Sequence, residues 1–231
     1  MNKVTALLPM KEHSERVPNK NLKLFNGKPL YHSIVNQLIL AKRINKIIVD
    51  TDSNNIIDDI KLNFKDIMVI NRPEEIQGDF VSMNKIIEYD LTKSDGEYFI
   101  QTHSTNPLLK SVTIDKAIEQ FFNNIQKHDS LFSVTRVQTR FYDKDINPIN
   151  HNPKELKRTQ DLDPYYEENS NFYIFSKSFI ESISNTSSSS IKNGIILLPL
   201  TECNRVIVFN LTISIHAFCQ YTSSRICLGE L

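Results

Sequence analysis

Short apolar runs alternate with segments of helical period from residue 4 to residue 136, and this alternation constrains the fold more than any other feature of the chain. VTALLP at 4–9, KIIVD at 46–50, DIMVI at 66–70, EYFIQ at 97–101 and SLFSVTR at 130–136 are runs of strand length. They read as strands covered on both faces, as in a parallel sheet flanked by helices. Leu30, Ile34, Leu38 and Ala41 recur at helical spacing, and Pro29 suits the first turn of that helix. Further helices are expected at 54–62, where Thr51, Asp52 and Ser53 supply a cap, at 81–91 and at 113–126. Strands separated by helices predict an α/β fold with an open, mostly parallel sheet. Such sheets bind ligands beyond the carboxyl ends of their strands, here residues 10–21, 50–53, 78–82, 101–106 and 136–140.

The alternation stops at residues 138–166, a polar segment with Pro148, Pro153 and Pro164 that reads as an excursion from the sheet. A strand at 171–175, a short helix at 177–184 and a flexible turn, NTSSSS, at 185–190 follow. The chain is read as one domain, 1–231, with an atypical tail from residue 195.

Several function classes are excluded at this level. The five glycines are scattered, so neither a Gly-rich dinucleotide turn nor a P-loop is present. The 27 basic and 27 acidic residues cancel, which argues against wrapping nucleic acid or coating an anionic membrane. Three cysteines without a CxxC pair fit a reducing compartment, and no HExxH metal motif occurs. The apolar start is too short for a signal peptide, and residues 206–218 are broken by Asn210, Thr212, Ser214 and His216, so no membrane span is expected. A cytoplasmic location follows as the expectation.

Three polar constellations fall at strand ends or near the excursion. Lys11, His13, Ser14, Arg16, Lys20 and Asn21 lie in the loop after the first strand, and cations with a hydroxyl and an amide suit phosphate oxygens. Without glycines the backbone cannot wrap a phosphate, so side chains must grip it; Glu12 and Glu15 leave open the alternative of a solvated charged loop. Residues 101–107, QTHSTNP, follow the fourth strand and offer amides and hydroxyls for a base or ribose, or simply a capped turn. Arg158, Gln160, Glu168, Asn169 and Tyr173 form the third group, in which Arg158 either forks onto a substrate carboxylate or pairs with Glu167 or Glu168. His32, inside a helical pattern, reads as a boundary residue.

Read together, LLPMKEHSERVPNKNLKLFNGKPL (7–30), IIVDTDS (47–53), FIQTHSTNPLL (99–109), DSLFSVTRVQTR (129–140) and RTQDLDPYYEENSNFYIF (158–175) resemble the acylneuraminate cytidylyltransferases, the CMP-sialic acid synthetases and their relatives. The resemblance spans roughly residues 3–184. It implies a Rossmann-like nucleotide-diphospho-sugar transferase fold, a mixed and mostly parallel sheet with helices on both faces, and a homodimer formed through the excursion. It implies transfer of CMP from CTP to a nonulosonic sugar acid with release of pyrophosphate, assisted by Mg²⁺. Lys11, in place of the family's arginine, would face the CTP phosphates with Ser14, Lys20 and Asn21. Asp79, Ser82 and Gln101 would lie near the nucleotide. Arg158 and Gln160 would reach the sugar acid, with Gln101, Asn169 and Tyr173 lining it. Lys20 and Arg158 are the expected catalytic residues. KEHS replaces the family's RGGS, which removes both glycines and turns a guanidinium fork into a point charge.

The tail departs from the family. All 14 aspartates lie at or before Asp163, and residues 195–231 hold four charges and all three cysteines. The paired aspartates that hold Mg²⁺ in the family are missing, and Glu202 is the nearest carboxylate in sequence. Either the metal site is built elsewhere, or the tail is read out of frame and the product is catalytically impaired. The acid itself stays open among neuraminic, legionaminic and pseudaminic types, with Kdo as the alternative class.

Overall fold

The computed structural model describes residues 3–14, 17–184 and 195–199, with residues 183–184 and 195–199 described in backbone only. The elements in chain order are β1 (Val4–Met10), β2 (Leu24–Phe25), β3 (Lys28–Pro29), α1 (Leu30–Leu40), β4 (Ile44–Thr51), α2 (Asn54–Asn63), β5 (Ile67–Asn71), α3 (Met83–Thr92), β6 (Tyr98–Thr102), α4 (Ser111–Asn124), β7 (Ser130–Val137), β8 (Tyr165–Ser176), α5 (Lys177–Ser184) and β9 (Ile195–Pro199). Seven of the strands form one sheet in the order β5-β4-β1-β6-β8-β7-β9, and β2 and β3 form a separate hairpin.

Alternate residues of β1 explain why helices cover both faces. Val4, Ala6, Leu8 and Met10 join a core with Tyr31, Ile34, Val35 and Leu38 of α1, Ile56 and Ile60 of α2, and Ile114, Ile118 and Phe121 of α4. Leu7 points the other way, into a second core with Ile87 and Leu91 of α3 and Ile180 of α5. Truncating a fully buried ring such as Phe121 would cost about 3–5 kcal/mol.

β1 pairs in parallel with β4 on one side and β6 on the other. The chain therefore builds outward from β1 to β4 and β5, then returns to lay β6 on the opposite flank of β1. A crevice opens at such a reversal, beyond the carboxyl ends of the two strands that flank it.

The sheet is more mixed on its far side than the alternation predicts. β8 runs antiparallel to both β6 and β7, and it starts six residues before the expected strand at 171–175. Its first residues, Tyr165–Glu168, pair with Val134–Val137 of β7, a long-range match that no local pattern reveals. The register shifts around Ser133, and the Ser133 hydroxyl fills the irregularity. It accepts from the backbone N–H of Asn171 (3.1 Å) and of Phe172 (3.2 Å), and donates to Asn169 Oδ1 (2.6 Å). β9 adds a parallel edge strand on β7.

Two local expectations shift. Pro29 closes the small hairpin and precedes α1 instead of lying in its first turn. Ser53 stands at the start of α2, yet its hydroxyl donates to Glu12 Oε1 at 3.2 Å and makes no capping bond. The flexible turn read at 185–190 lies outside the described residues.

Candidate active site

The loop after β1 has no glycine to shape it, so side chains do so. Asn21 is buried, donates through Nδ2 to the Lys11 carbonyl (2.9 Å), and accepts from the Ser104 hydroxyl (2.6 Å). This ties the loop after β1 to the loop after β6. Both ends of the amide are thereby occupied, so Asn21 organises the loop more than it presents a free donor. Ser14 is buried in the same loop.

Lys11 and Lys20 bring the positive charge. Lys11 Nζ pairs with Asp79, and this hydrogen bond and charge hold the Asp79 carboxyl below its usual range. Lys20 lies near enough to His103 to act on it: burial first, then the Lys20 charge, push the imidazole down to about 4. His103 is therefore neutral at pH 7, and the cationic character of the site comes from the lysines. His103 and Ser104 were legible only as members of a polar run; their pairing with residues 20–21 depends on how two loops meet.

Asp79 sits in the loop between β5 and α3, after Gly78, whose φ of 99° suits no L side chain. Ser82 caps α3, its Oγ accepting from the Lys85 N–H at 3.4 Å. On β6, Gln101 is fully buried. Its Nε2 donates to the Thr102 carbonyl (3.1 Å), while its Oε1 has no donor among the described residues. A buried amide oxygen left open beside the sheet reversal is costly unless something polar completes it.

The residues expected around the sugar acid are less concentrated. Asn169 accepts through Oδ1 from the Ser133 hydroxyl and donates through Nδ2 to Thr135 Oγ1 (3.2 Å), so it builds the strand irregularity. Tyr173 opposes Gln101 across the β6–β8 ladder, and its hydroxyl donates to Glu168 and reaches Ser170 Oγ at 3.1 Å. Arg158 is exposed and forks onto Asp161, with Nε and Nη2 at 2.8 and 3.0 Å from the two carboxylate oxygens. Its partner is thus neither Glu167 nor Glu168. Gln160 is exposed and accepts a hydrogen bond from Gln138 through its carbonyl (3.0 Å).

Among the described residues no group of three His, Cys, Asp or Glu side chains gathers to hold a metal ion. The carboxylates nearest the loop are already engaged: Asp79 by Lys11, Asp52 by the Glu12 N–H (2.6 Å), and Glu12 by Ser53 and Asn55. These carboxylates are thus committed to protein partners, and Glu202 lies outside the described residues.

A cavity of about 310 Å³ opens elsewhere, between α1 and α2, lined by His32, Asn36, Asp59 and Asn63 among others. Asp59 there takes hydrogen bonds from Tyr31, from His32 Nε2 (2.5 Å) and from Asn63 Nδ2 (2.9 Å). His32 is buried, and the cluster is satisfied from within.

The sequence model of the cytidylyltransferase family matches residues 5–194, more than half of the chain. The chain belongs to the cytidylyltransferase family. The match ends at residue 194, immediately before the tail that begins at residue 195. This cytidylyltransferase family member is 27% identical over 186 residues to N-acylneuraminate cytidylyltransferase A of Danio rerio, covering 77% of the chain and 42% of that protein. It is 28% identical to the 8-amino-3,8-dideoxy-manno-octulosonate cytidylyltransferase of Shewanella amazonensis, covering 70% of the chain and 62% of the relative. It is 26% identical to the pseudaminic acid cytidylyltransferase of Campylobacter jejuni, covering 76% and 80%. The chain thus spans less than two thirds of the first two relatives. Among solved structures, a CMP:2-keto-3-deoxy-manno-octonic acid synthetase complexed with CTP shares the fold, with a TM-score of 0.59 at 11% identity, covering 85% of this chain and 91% of that one. Among the described residues no helix is long and apolar enough to cross a membrane.

Proposed function

We propose that this protein transfers CMP from CTP to a nonulosonic sugar acid, releasing pyrophosphate. The observation that carries this reading is the junction of the β1 and β6 loops through Asn21, which ties the Lys11 backbone, and Lys20 next to Asn21 in sequence, to the loop that follows Gln101 at the sheet reversal. In this reading the anomeric hydroxyl of the acid attacks the α-phosphorus in line. The bond to the pyrophosphate oxygen breaks as the new P–O bond forms, and the hydroxyl proton leaves to solvent. Lys11 and Lys20 spread the triphosphate charge, and positioning does most of the remaining work. Phosphate oxygens compete with Asp79 for Lys11. Gln101 accepts a hydrogen bond from the nucleotide or acid. Arg158 exchanges Asp161 for the substrate carboxylate.

Mg²⁺ belongs to this proposal through the family resemblance alone. A homodimer belongs to it as well: Tyr142, Ile146, Ile149, Leu156, Tyr165 and Tyr166 are exposed apolar groups gathered in or beside the excursion. The named relatives act on three different acids at similar identity, so the acid is assigned by class.

Pyrophosphate release with CTP, Mg²⁺ and a panel of neuraminic, pseudaminic, legionaminic and octulosonic acids tests the reading. Release with one or more of the nonulosonic acids, and not with ATP, GTP or UTP, is the expected result, and release with the octulosonic acids alone would replace the acid class. CTP binding without release from any acid would identify an impaired member, and neither binding nor release would overturn the proposal.

A further inference from the structure

Asp50, next to last in β4, and Asp90, near the end of α3, are both fully buried. Arg72, just beyond β5, donates through Nε to Asp50 Oδ1 at 2.5 Å. Its Nη2 donates to the carbonyls of Met10 (3.1 Å) and Asp50 (3.3 Å). The Asp90 carboxyl lies close enough to that of Asp50 for each to act on the other. Asp50 Oδ2 and both Asp90 oxygens have no hydrogen-bond donor among the described residues, which a proton held between the two carboxyl groups would supply. Two carboxyl groups hydrogen-bond only when one of them carries a proton. With one guanidinium present, one shared proton leaves the cluster neutral, whereas two ionised carboxylates would bury an excess charge.

Arg72 also joins three strand ends. Met10 immediately precedes Lys11. The Arg72 N–H donates to the Thr51 carbonyl (2.9 Å), and its own carbonyl accepts from Gln77 Nε2 (2.6 Å), two residues before Asp79.

We propose that Asp90 is a positioning residue for the nucleotide site: by holding one proton against Asp50 Oδ2 it fixes the carboxylate that grips Arg72, which in turn ties together the strand ends leading to Lys11 and Asp79. The proposal rests on the cytidylyltransferase reading for what those strand ends bind, and on the buried cluster for everything else.

Asp50 from β4 and Arg72 from the segment after β5 are the charged groups acting on Asp90. Lys177 of α5 lies near the same end of α3, where its ammonium bonds the carbonyls of Leu91 (3.1 Å) and Ser94 (3.5 Å). Burial foremost, then the hydrogen bond and charge of Asp50, lift the Asp90 carboxyl to about 9 against the opposing Arg72. Its folded value exceeds its unfolded value of about 4, so its contribution to stability is complete below that and is lost as pH rises towards the folded value. Asn at position 90 has no such dependence, and its amide donates the same hydrogen bond.

The test uses the full chain and its Asp90→Asn and Asp90→Leu variants. Thermal midpoints are measured from pH 5 to 10, and CTP affinity by calorimetry from pH 7 to 10. The Asn variant should gain stability over wild type as pH rises, levelling off near pH 9. At pH 7 it should match wild-type CTP affinity. By pH 10 the wild type should weaken by about fivefold or more relative to it, and the Leu variant should already be weaker by about that factor at pH 7. Parallel midpoints for the Asn variant and wild type overturn the shared proton. A folded Leu variant with wild-type CTP affinity, or an Asn variant that follows the wild-type affinity profile, overturns the positioning role. If the Leu variant does not fold, the Asn comparison decides. If midpoints diverge but no chain binds CTP, the positioning role falls with the nucleotide reading; if CTP binds and midpoints run parallel, this inference alone falls.

Discussion

The strand ends of β1, β4, β5 and β6 are held by bonds that cross between elements, whereas residues 138–164 are held by bonds among themselves and their immediate neighbours. In the first region Asn21 reaches Ser104, Thr102 and Asn106 reach the Asn171 carbonyl, and Arg72 reaches Met10 and Asp50. In the second, Asn150 bonds Thr139 and Phe141, Asp143 accepts from the N–H groups of Asp145 and Asn147, Gln138 donates to the Leu162 carbonyl and Arg158 holds Asp161. The side proposed to bind the nucleotide is thus held together by the sheet itself. The side proposed for the sugar acid exposes polar and apolar groups, Arg158 and Tyr166 among them. Pre-assembly of one half also suits the chemistry, since a triphosphate needs fixed cations more than it needs a shaped pocket.

The largest expected effect breaks the assembled side at its buried charge. Arg72→Met leaves two buried carboxyl groups without their cation and should cost about 3–5 kcal/mol. A urea midpoint equal to that of wild type would contradict the role given to the cluster. Next comes chemistry: Lys20→Ala should lower kcat/KM for CTP about 100-fold, roughly 2.7 kcal/mol, with stability little changed. Unaltered kinetics would remove Lys20 from the site. Ser133→Ala strips an acceptor from two backbone N–H groups and a donor from Asn169, and should destabilise by about 1–3 kcal/mol. The same unfolding experiment reads it, and a change near zero would mean that the irregularity in β8 is held by backbone alone. The smallest effect on stability belongs to the other side. Arg158→Ala removes an exposed ion pair worth about 0–1 kcal/mol, yet should raise KM for the sugar acid while leaving KM for CTP unchanged. Equal KM values for the acid would assign Arg158 to the loop alone.

How much of this was legible in the sequence follows from how local each cause is. Apolar runs and helical spacing are local, so β1, β4, β5, β6 and β7 and helices α1 to α5 lie close to where the pattern puts them. The place of β8 between β6 and β7, antiparallel to both, depends on partners more than 25 residues away in sequence and leaves no periodic trace. Within the site, residue types were readable but not their use. Asn21 and Asn169 look like donors facing a ligand, and Ser82 like another hydroxyl of the site, yet packing commits all three to the fold. Asp90 left a signal that could have been found. In α3 it falls with Ile86, Ile87 and Leu91 on the buried face, and a lone acid on an apolar stripe calls for a buried partner. Asp50 gave no such cue, because a strand end looks the same in sequence whether its aspartate meets solvent or a guanidinium.

Calorimetric titration of the chain with CTP, in the absence of any sugar acid, tests the central contrast most directly. An assembled nucleotide side predicts saturable binding of one CTP per chain that is lost in Lys20→Ala. No binding until a sugar acid is added would contradict it and place the assembly of the site after, not before, the arrival of the second substrate.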